Sequence, residues 1–306
     1  MAKELRVRLH KPYVSTEAVE GATAVLRSGW IGEGPVVKEF ERAITEKFGY
    51  RNVLTVNSGT AALHLALVLA GVGAGDEVIT SAQTCSATGQ SILMTGAKPV
   101  YADIDYMTGN INPLDILRNV TRSTKAILCI HWGGLPCDMA GMHSAAEALE
   151  VPLIQDAAHA LGATFNNFPI DHYAEYTMIS LQAIKMINTI DGGLLCCKSP
   201  VKYEEGKRRR WFGIDRDRRI ACEDDGYWDW NITELGFKSH MNDVCAAIGL
   251  GNLEHYDELY VQRVSICQQY RKAFCDTDGI QLLAEAGASN SDAHWLFTMH
   301  VEERPL

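Results

Sequence analysis

Between about residues 36 and 200, short apolar runs alternate with longer stretches in which apolar side chains recur every three to four residues. That order is met by a mostly parallel sheet with helices on both faces, an α/β architecture. Strands are expected at 53–56, 77–80, 99–103, 126–130, 153–155, 176–180 and 194–197, and helical patterns lie near 60–70, 86–95, 113–119 and 139–149. Another helix should begin at Pro35, whose fixed φ suits a first turn, and end at Gly49. It would bury Val36, Val37, Phe40, Ile44 and Phe48 and carry Glu39 and Glu41 near its positive end.

Composition narrows the function classes. The formal charge of −10 over 306 residues argues against nucleic acid as a partner, so any anion site must be local. Nine cysteines are odd in number and mostly sit in apolar runs such as Leu194-Leu195-Cys196-Cys197, as reduced thiols do in a cytoplasmic protein. Neither CxxC nor HExxH occurs, so no metal site is expected. The opening MAKELRVRLHKPYV lacks the apolar centre of a signal peptide, and the run 61–70 is too short and too interrupted, by His64, for a membrane span.

The second half reads less regularly. Residues 202–219 hold eight basic and four acidic side chains before the charge reverses in Glu223-Asp224-Asp225, a pattern that reads as a loop-like insert. From Asn242 one long helix is expected to about Phe274, bridging two domains, 1–241 and 242–306. Strand-like segments at 280–283 and 294–301 then precede Pro305-Leu306. Two strands without a following helix do not complete a small domain, so a shortened C-terminus is expected.

Three segments could carry chemistry. Asn57-Ser58-Gly59-Thr60-Ala61 lies between a strand and an Ala/Leu-rich helix, where a glycine permits close approach and free first-turn N–H groups favour a phosphate. An ordinary capped glycine turn uses the same residues. Asp156 follows an apolar strand, where a parallel sheet opens its binding crevice, although such an aspartate also caps helices. Lys185 is flanked by Ile184, Met186 and Ile187. An ammonium there is costly unless it is paired or used as a nucleophilic amine, while a snorkelling surface lysine is the plain alternative. Taken together, a phosphate cradle, an acid for a pyridinium nitrogen and a Schiff-base lysine are what pyridoxal phosphate needs.

At this level the sequence resembles the DegT/DnrJ class of fold type I, pyridoxal-phosphate-dependent nucleotide-sugar aminotransferases. The resemblance rests on SGWIGEGP at 28–35, NSGTAALHLAL at 57–67, GDEVIT at 75–80, HWGGLPCDM at 131–139, QDAAHALGA at 155–163, the stretch 180–185 with its following DGG, and GFKSHMNDVCAAIGLGNLE at 236–254. These ordered motifs span nearly the whole chain. The resemblance implies a large domain built on a mostly parallel seven-stranded sheet, plus a partial small domain. It implies a homodimer with shared active sites, L-glutamate as donor and a nucleotide-linked keto sugar as acceptor. Lys185 would condense with the cofactor aldehyde and shuttle the proton, and Asp156 would hold the ring nitrogen protonated. Ser58, Gly59, Thr60, Ala61 and Ser180 would hold the phosphate, His159 would lie near the ring hydroxyl, and Lys238 would reach the partner's phosphate.

Trp30 and Ile31 would line the substrate entrance, and the basic stretch containing Arg210 and Arg216 would meet the diphosphate or serve as a solvated or dimer-contact loop. Three positions depart from the pattern. Cys85 stands where many relatives place an aromatic ring, and Lys238 and His240 stand where many have Asn and Arg. A histidine lacks the fork with which arginine grips a carboxylate. A sugar dehydratase, or a homologue that binds without turnover, is the alternative; the dehydratase branch carries histidine in place of the lysine, so Lys185 argues against it.

Overall fold

The computed structural model describes residues 10–216, 220–221, 228–229, 232 and 234–302. Cys222, the acidic run 223–225, the first nine residues and Pro305-Leu306 lie outside them.

The centre is a seven-stranded sheet: β1 (Val53–Val56), β2 (Glu77–Ser81), β3 (Lys98–Ala102), β4 (Thr124–Ile130), β5 (Leu153–Asp156), β6 (Tyr176–Ser180) and β7 (Gly193–Cys197). The spatial order is β1-β7-β6-β5-β4-β2-β3. The contiguous run from β6 to β3 is parallel, and β7 is antiparallel to both of its neighbours. Every strand expected from the apolar runs is present. Around the sheet lie α1 (Thr16–Ser28), α2 (Pro35–Phe48), α3 (Gly59–Leu69), α4 (Ser86–Met94), α5 (Pro113–Arg118), α6 (Met139–Leu149), α7 (Pro200–Arg209), α8 (Asp243–Leu253) and α9 (Tyr256–Phe274).

Alternation along each strand splits the core into two layers. Ala126, Leu128 and Ile130 of β4 pack with Leu63 and Leu67 of α3 and Ile92 of α4. Ile127 and Cys129 face the other way, with Phe40 and Ile44 of α2 and Met139 and Met142 of α6. Burying a leucine or isoleucine side chain contributes about 2 kcal/mol, so a strand apolar on both faces is held from two sides. Helix α2 begins at Pro35 and ends at Gly49, whose φ of 72° places it in the left-handed region where glycine is favoured.

Three expectations are corrected. The first half of the basic stretch is helical: Ser199 caps α7, Pro200 opens it, and Lys202–Glu205, Lys207–Glu204 and Arg209–Glu205 pair at helical spacing. Its charges are arranged to attract along one helix, not to repel into a loop. The single long helix is two, α8 and α9, divided at Glu254-His255. Helix α8 is buried between α1 and α2, where a Cβ at Gly251 would lie 2.2 Å from the Ala18 nitrogen and one at Gly249 would lie 2.6 Å from Phe40. Only Tyr256 of α9 is fully buried, so the two halves answer to different surroundings. At the C-terminal end, β8 (Ile280–Leu282) pairs antiparallel with β9 (Met299–Val301), and the residues just before β9 are irregular instead of continuing the expected strand.

Asp243, the first residue of α8, also fixes the start of α2. Its carboxylate accepts from the backbone N–H groups of Gly34 at 2.8 Å, Val37 at 3.0 Å and Val36 at 3.3 Å. A side chain 1% exposed thus caps a helix about two hundred residues away in sequence. Asp243→Ala is expected to lower the unfolding free energy by about 2 kcal/mol, seen as a lower urea midpoint at unchanged slope.

Candidate active site

At the carboxyl edge of the parallel strands lies a cavity of about 300 Å³. One wall is the first turn of α3. Ser58 is extended and caps the helix by accepting from Ala61 N at 3.1 Å. Gly59 and Thr60 line the cavity, and their N–H groups have no acceptor within the helix. The glycines here are required by space: a Cβ at Gly59 would lie 3.2 Å from Ser180 Cβ, and one at Gly193 would lie 2.7 Å from the Ser58 carbonyl oxygen. Ala61 departs from the expectation, because its N–H is spent on the Ser58 hydroxyl and it does not line the cavity.

Asp156 ends β5 and is 4% exposed. Its Oδ2 accepts from Thr88 Oγ1 at 2.7 Å and its Oδ1 from Ala158 N at 3.1 Å. Thr88 is in turn 2.7 Å from Thr84 Oγ1, so two hydroxyls orient the carboxylate. Burial pushes Asp156 above the usual carboxylate range, while those hydrogen bonds and the charge of Lys185 hold it back. Thr84 and Thr88 were missed in the sequence. They straddle Cys85 in QTCSAT, but nothing in that string says which strand end they will face.

Lys185 enters from the loop after β6. Backbone bonds Leu181 N to Gly192 O at 2.9 Å, Thr189 N to Leu181 O at 2.9 Å and Lys185 N to Gln182 O at 2.8 Å fold that loop back on itself. Met186 and Ile187 anchor in the core, as their apolar character demands, and leave Lys185 aimed at the cavity. Burial lowers its ammonium to about 8, against the attraction of Asp156 and Cys85. Cys85, at the N-terminus of α4, and Ser180 line the same space.

His159 completes the wall, its ring 5.9 Å from that of Trp132 and 6.0 Å from that of Trp295. Its Nδ1 is buried without a partner, and burial, with Lys185 and His131 nearby, lowers it to about 3. His131 itself is structural: it bridges Gln155 Oε1 at 2.6 Å and Cys137 N at 3.0 Å.

The remaining expected residues lie elsewhere. Lys238 and His240 run beside the end of β1, with Asn57 N donating to Ser239 O at 2.8 Å. Lys238 Nζ stands 3.5 Å over the Trp211 ring, and the His240 ring meets the same indole edge-on at 4.0 Å. Burial and the charges of Lys238, Arg210 and Arg216 lower His240 to about 4. Neither residue lines the Lys185 cavity. Trp30, Arg210 and Arg216 line a second cavity, of about 740 Å³, while Trp30 and Ile31 are more than half exposed.

Arg210 is a correction. Arg210 is 5% exposed and its guanidinium donates to Glu41 Oε1, Glu33 Oε1 and the Thr55 carbonyl, each at 2.8 Å, so although it lines the second cavity its donors are committed to structure. Arg216 donates to the other Glu33 oxygen at 2.9 Å.

The arrangement is shared with known proteins. A model of the DegT/DnrJ/EryC1/StrS aminotransferase family matches residues 12–305. The chain belongs to that family. It is 34% identical over 293 residues to the spore coat polysaccharide biosynthesis protein SpsC of Bacillus subtilis, covering 96% of this chain and 75% of that protein. The sugar aminotransferase CalS13 of Micromonospora echinospora superposes with a TM-score of 0.90 at 32% identity, over 98% of this chain and 81% of its own. Spr1654 of Streptococcus pneumoniae, a sugar aminotransferase in its PMP form, gives 0.90 at 29%, over 97% and 79%. The fold is that of the fold type I sugar aminotransferases, and the family's reaction is amino transfer. Among the described residues no helix is long and apolar enough to cross a membrane, and no cluster of potential metal ligands occurs.

Arg210→Ala leaves the Glu33 and Glu41 carboxylates without the buried charge that joins them. It is expected to cost about 3 kcal/mol or more of stability, measured by denaturant unfolding.

Proposed function

We propose that this protein is a pyridoxal-phosphate-dependent aminotransferase that moves an amino group from L-glutamate to a nucleotide-linked keto sugar. The observation that carries the reading is convergence: Lys185, Asp156 and the open first turn of α3 meet at one cavity although they lie far apart in the chain. The residues fit the cofactor. The first turn of α3 offers the N–H groups of Gly59 and Thr60, which have no acceptor within the helix, and the buried His159 Nδ1 has no partner, so both can meet a polar group.

When bound, pyridoxal phosphate supplies an aldehyde for exchange with amines and a ring that draws electrons from the donor's α-carbon. The Gly59 and Thr60 N–H groups, with the Ser58 and Ser180 hydroxyls, would hold its phosphate at the positive end of α3. Asp156, oriented by Thr88 and Ala158, would keep a proton on the ring nitrogen, and an anion already ordered in a dry site does this with little rearrangement. Lys185 Nζ, lowered to about 8 by burial, would in its neutral form take the proton from the donor's α-carbon and return it at the opposite end of the transfer. Cys85 would offer sulfur to the ring face.

Lys238 and His240 lie outside this chain's own cavity, which supports their acting across the interface of a homodimer, with Lys238 toward the partner's phosphate and His240 toward the donor. Arg216, which lines the second cavity with Trp30 and is paired to Glu33, is the candidate contact for the sugar diphosphate. The described cysteines are all free thiols, in keeping with a cytoplasmic setting.

The test is a half-reaction. Protein loaded with pyridoxal phosphate should be yellow, lose the band on adding glutamate, and regain it with a nucleotide keto sugar. Borohydride reduction should label Lys185. A protein that loads but never bleaches is a silent binder, and one that releases water from the sugar without glutamate is a dehydratase. Lys185→Ala should abolish labelling, and Asp156→Asn should slow the glutamate half-reaction by about a hundredfold or more. Because only the neutral amine condenses, the rate of cofactor uptake should rise about tenfold per pH unit up to about 8 and then level off, as followed by absorbance.

A further inference from the structure

We propose that Trp295 is a positioning residue for Lys185: its indole face holds the ammonium inside the cavity whenever the amine is not covalently engaged, and Arg263 on the same ring tempers that hold. The consequence for amino transfer rests on the function proposed above; the contact itself does not.

Lys185 Nζ lies 4.7 Å from the centre of the Trp295 ring, and Arg263 Cζ lies 4.6 Å from it. Among the described residues Lys185 Nζ has neither a carboxylate within ion-pair distance nor a hydrogen-bond acceptor, so the indole is its direct polar contact. Arg263 is likewise without a carboxylate, and its Nη1 donates to Trp295 O at 3.4 Å. Between Lys185, His159, Ala293 and Trp295 the free space is about 10 Å³, room for about one water at most, while Lys185 also lines the cavity of about 300 Å³. A cation over an indole is attracted to the ring's negative face, and more strongly when water is excluded.

The ring is not there by accident of a loose tail. Ala293 N donates to Gly134 O at 3.2 Å and Leu296 N to Gly133 O at 2.9 Å, which sews this stretch to the turn after β4. Gly134, at φ 113°, has no room for a side chain: a Cβ would lie 2.7 Å from Asp292 and 3.0 Å from the His159 carbonyl. The paired glycines of HWGG therefore admit the chain that carries Trp295, whose ring is 9% exposed and lies along that of His159 at 28°. Once it has taken the donor's α-proton, Lys185 is an ammonium and needs a place that accepts its charge without drawing it into water. The indole supplies one within reach of the reacting carbon.

The groups facing Lys185 act in known directions. Asp156 on β5 and Cys85 at the start of α4 favour the ammonium, Arg263 on α9 opposes it, His159 is held neutral by burial, and Asp191 lines the same cavity. Replacing the indole by leucine keeps an apolar wall against Lys185 and takes the attraction of the ring face from the charged form.

The experiment is competitive acetylation of the cofactor-free protein across pH 6–10, with the Lys185 peptide followed by mass spectrometry. Without cofactor or substrate, it stands or falls separately from the aminotransferase reading, which the half-reaction tests. Trp295→Leu should lower the Lys185 midpoint by about one unit, raising its reactive fraction about tenfold below the midpoint. Trp295→Phe, which keeps a weaker ring face, should lower it less, and Arg263→Met should raise it. Equal shifts for Leu and Phe, or a rise for either, would overturn the role of Trp295; an unmoved Arg263→Met midpoint would overturn that of Arg263. Should the Leu variant fail to fold, a Phe midpoint at or above the wild-type value decides against the proposal.

Discussion

A sheet buried on both faces has few places to put polar chemistry. Its strands must be apolar above and below, as Ala126 to Ile130 are, and its helices must be apolar toward it. Polar groups are left to the strand ends, and in a parallel sheet the carboxyl ends share one edge. Asp156, at the end of β5, and the loop bearing Lys185, after β6, meet there for that reason. The antiparallel β7 returns beside the start of α3 and brings Gly193 against Ser58, so the first turn of α3 and the lysine border one cavity.

The ionisable groups near that edge are managed in two ways. Arg210 is fully committed, joining the 29–34 turn, α2 and β1 through Glu33, Glu41 and Thr55. Lys185 and Asp156 are deliberately under-satisfied: burial pushes one down and the other up, toward their neutral forms, and neither receives a full counter-charge. Arg210 receives carboxylate partners, while Lys185 and Asp156 receive neighbours that bias their charge without fixing it.

What was legible locally was legible for a reason. Strand positions follow from apolar runs, and α2 was visible because Pro35 and Gly49 impose backbone angles by themselves. Lys185 stood out because its neighbours Met186 and Ile187 belong in a core. Where reading failed, contacts that exist only in the folded geometry decided. Helix α8 stops where packing against α1 and α2 ends, α7 forms because its charges pair along one face, and Ala61 gives its N–H to a cap that only the folded turn brings into range.

The chain alone determined the α/β class, the strand order along the sequence and the identities of Lys185 and Asp156, because propensity, period and solvation cost act on residues one at a time or with near neighbours. Tertiary structure decided that Thr88 holds Asp156, that Arg210 is a strut and that Trp295 lies against Lys185. Each of these joins residues dozens to well over a hundred positions apart, and contact at such separations exists only after the sheet has closed.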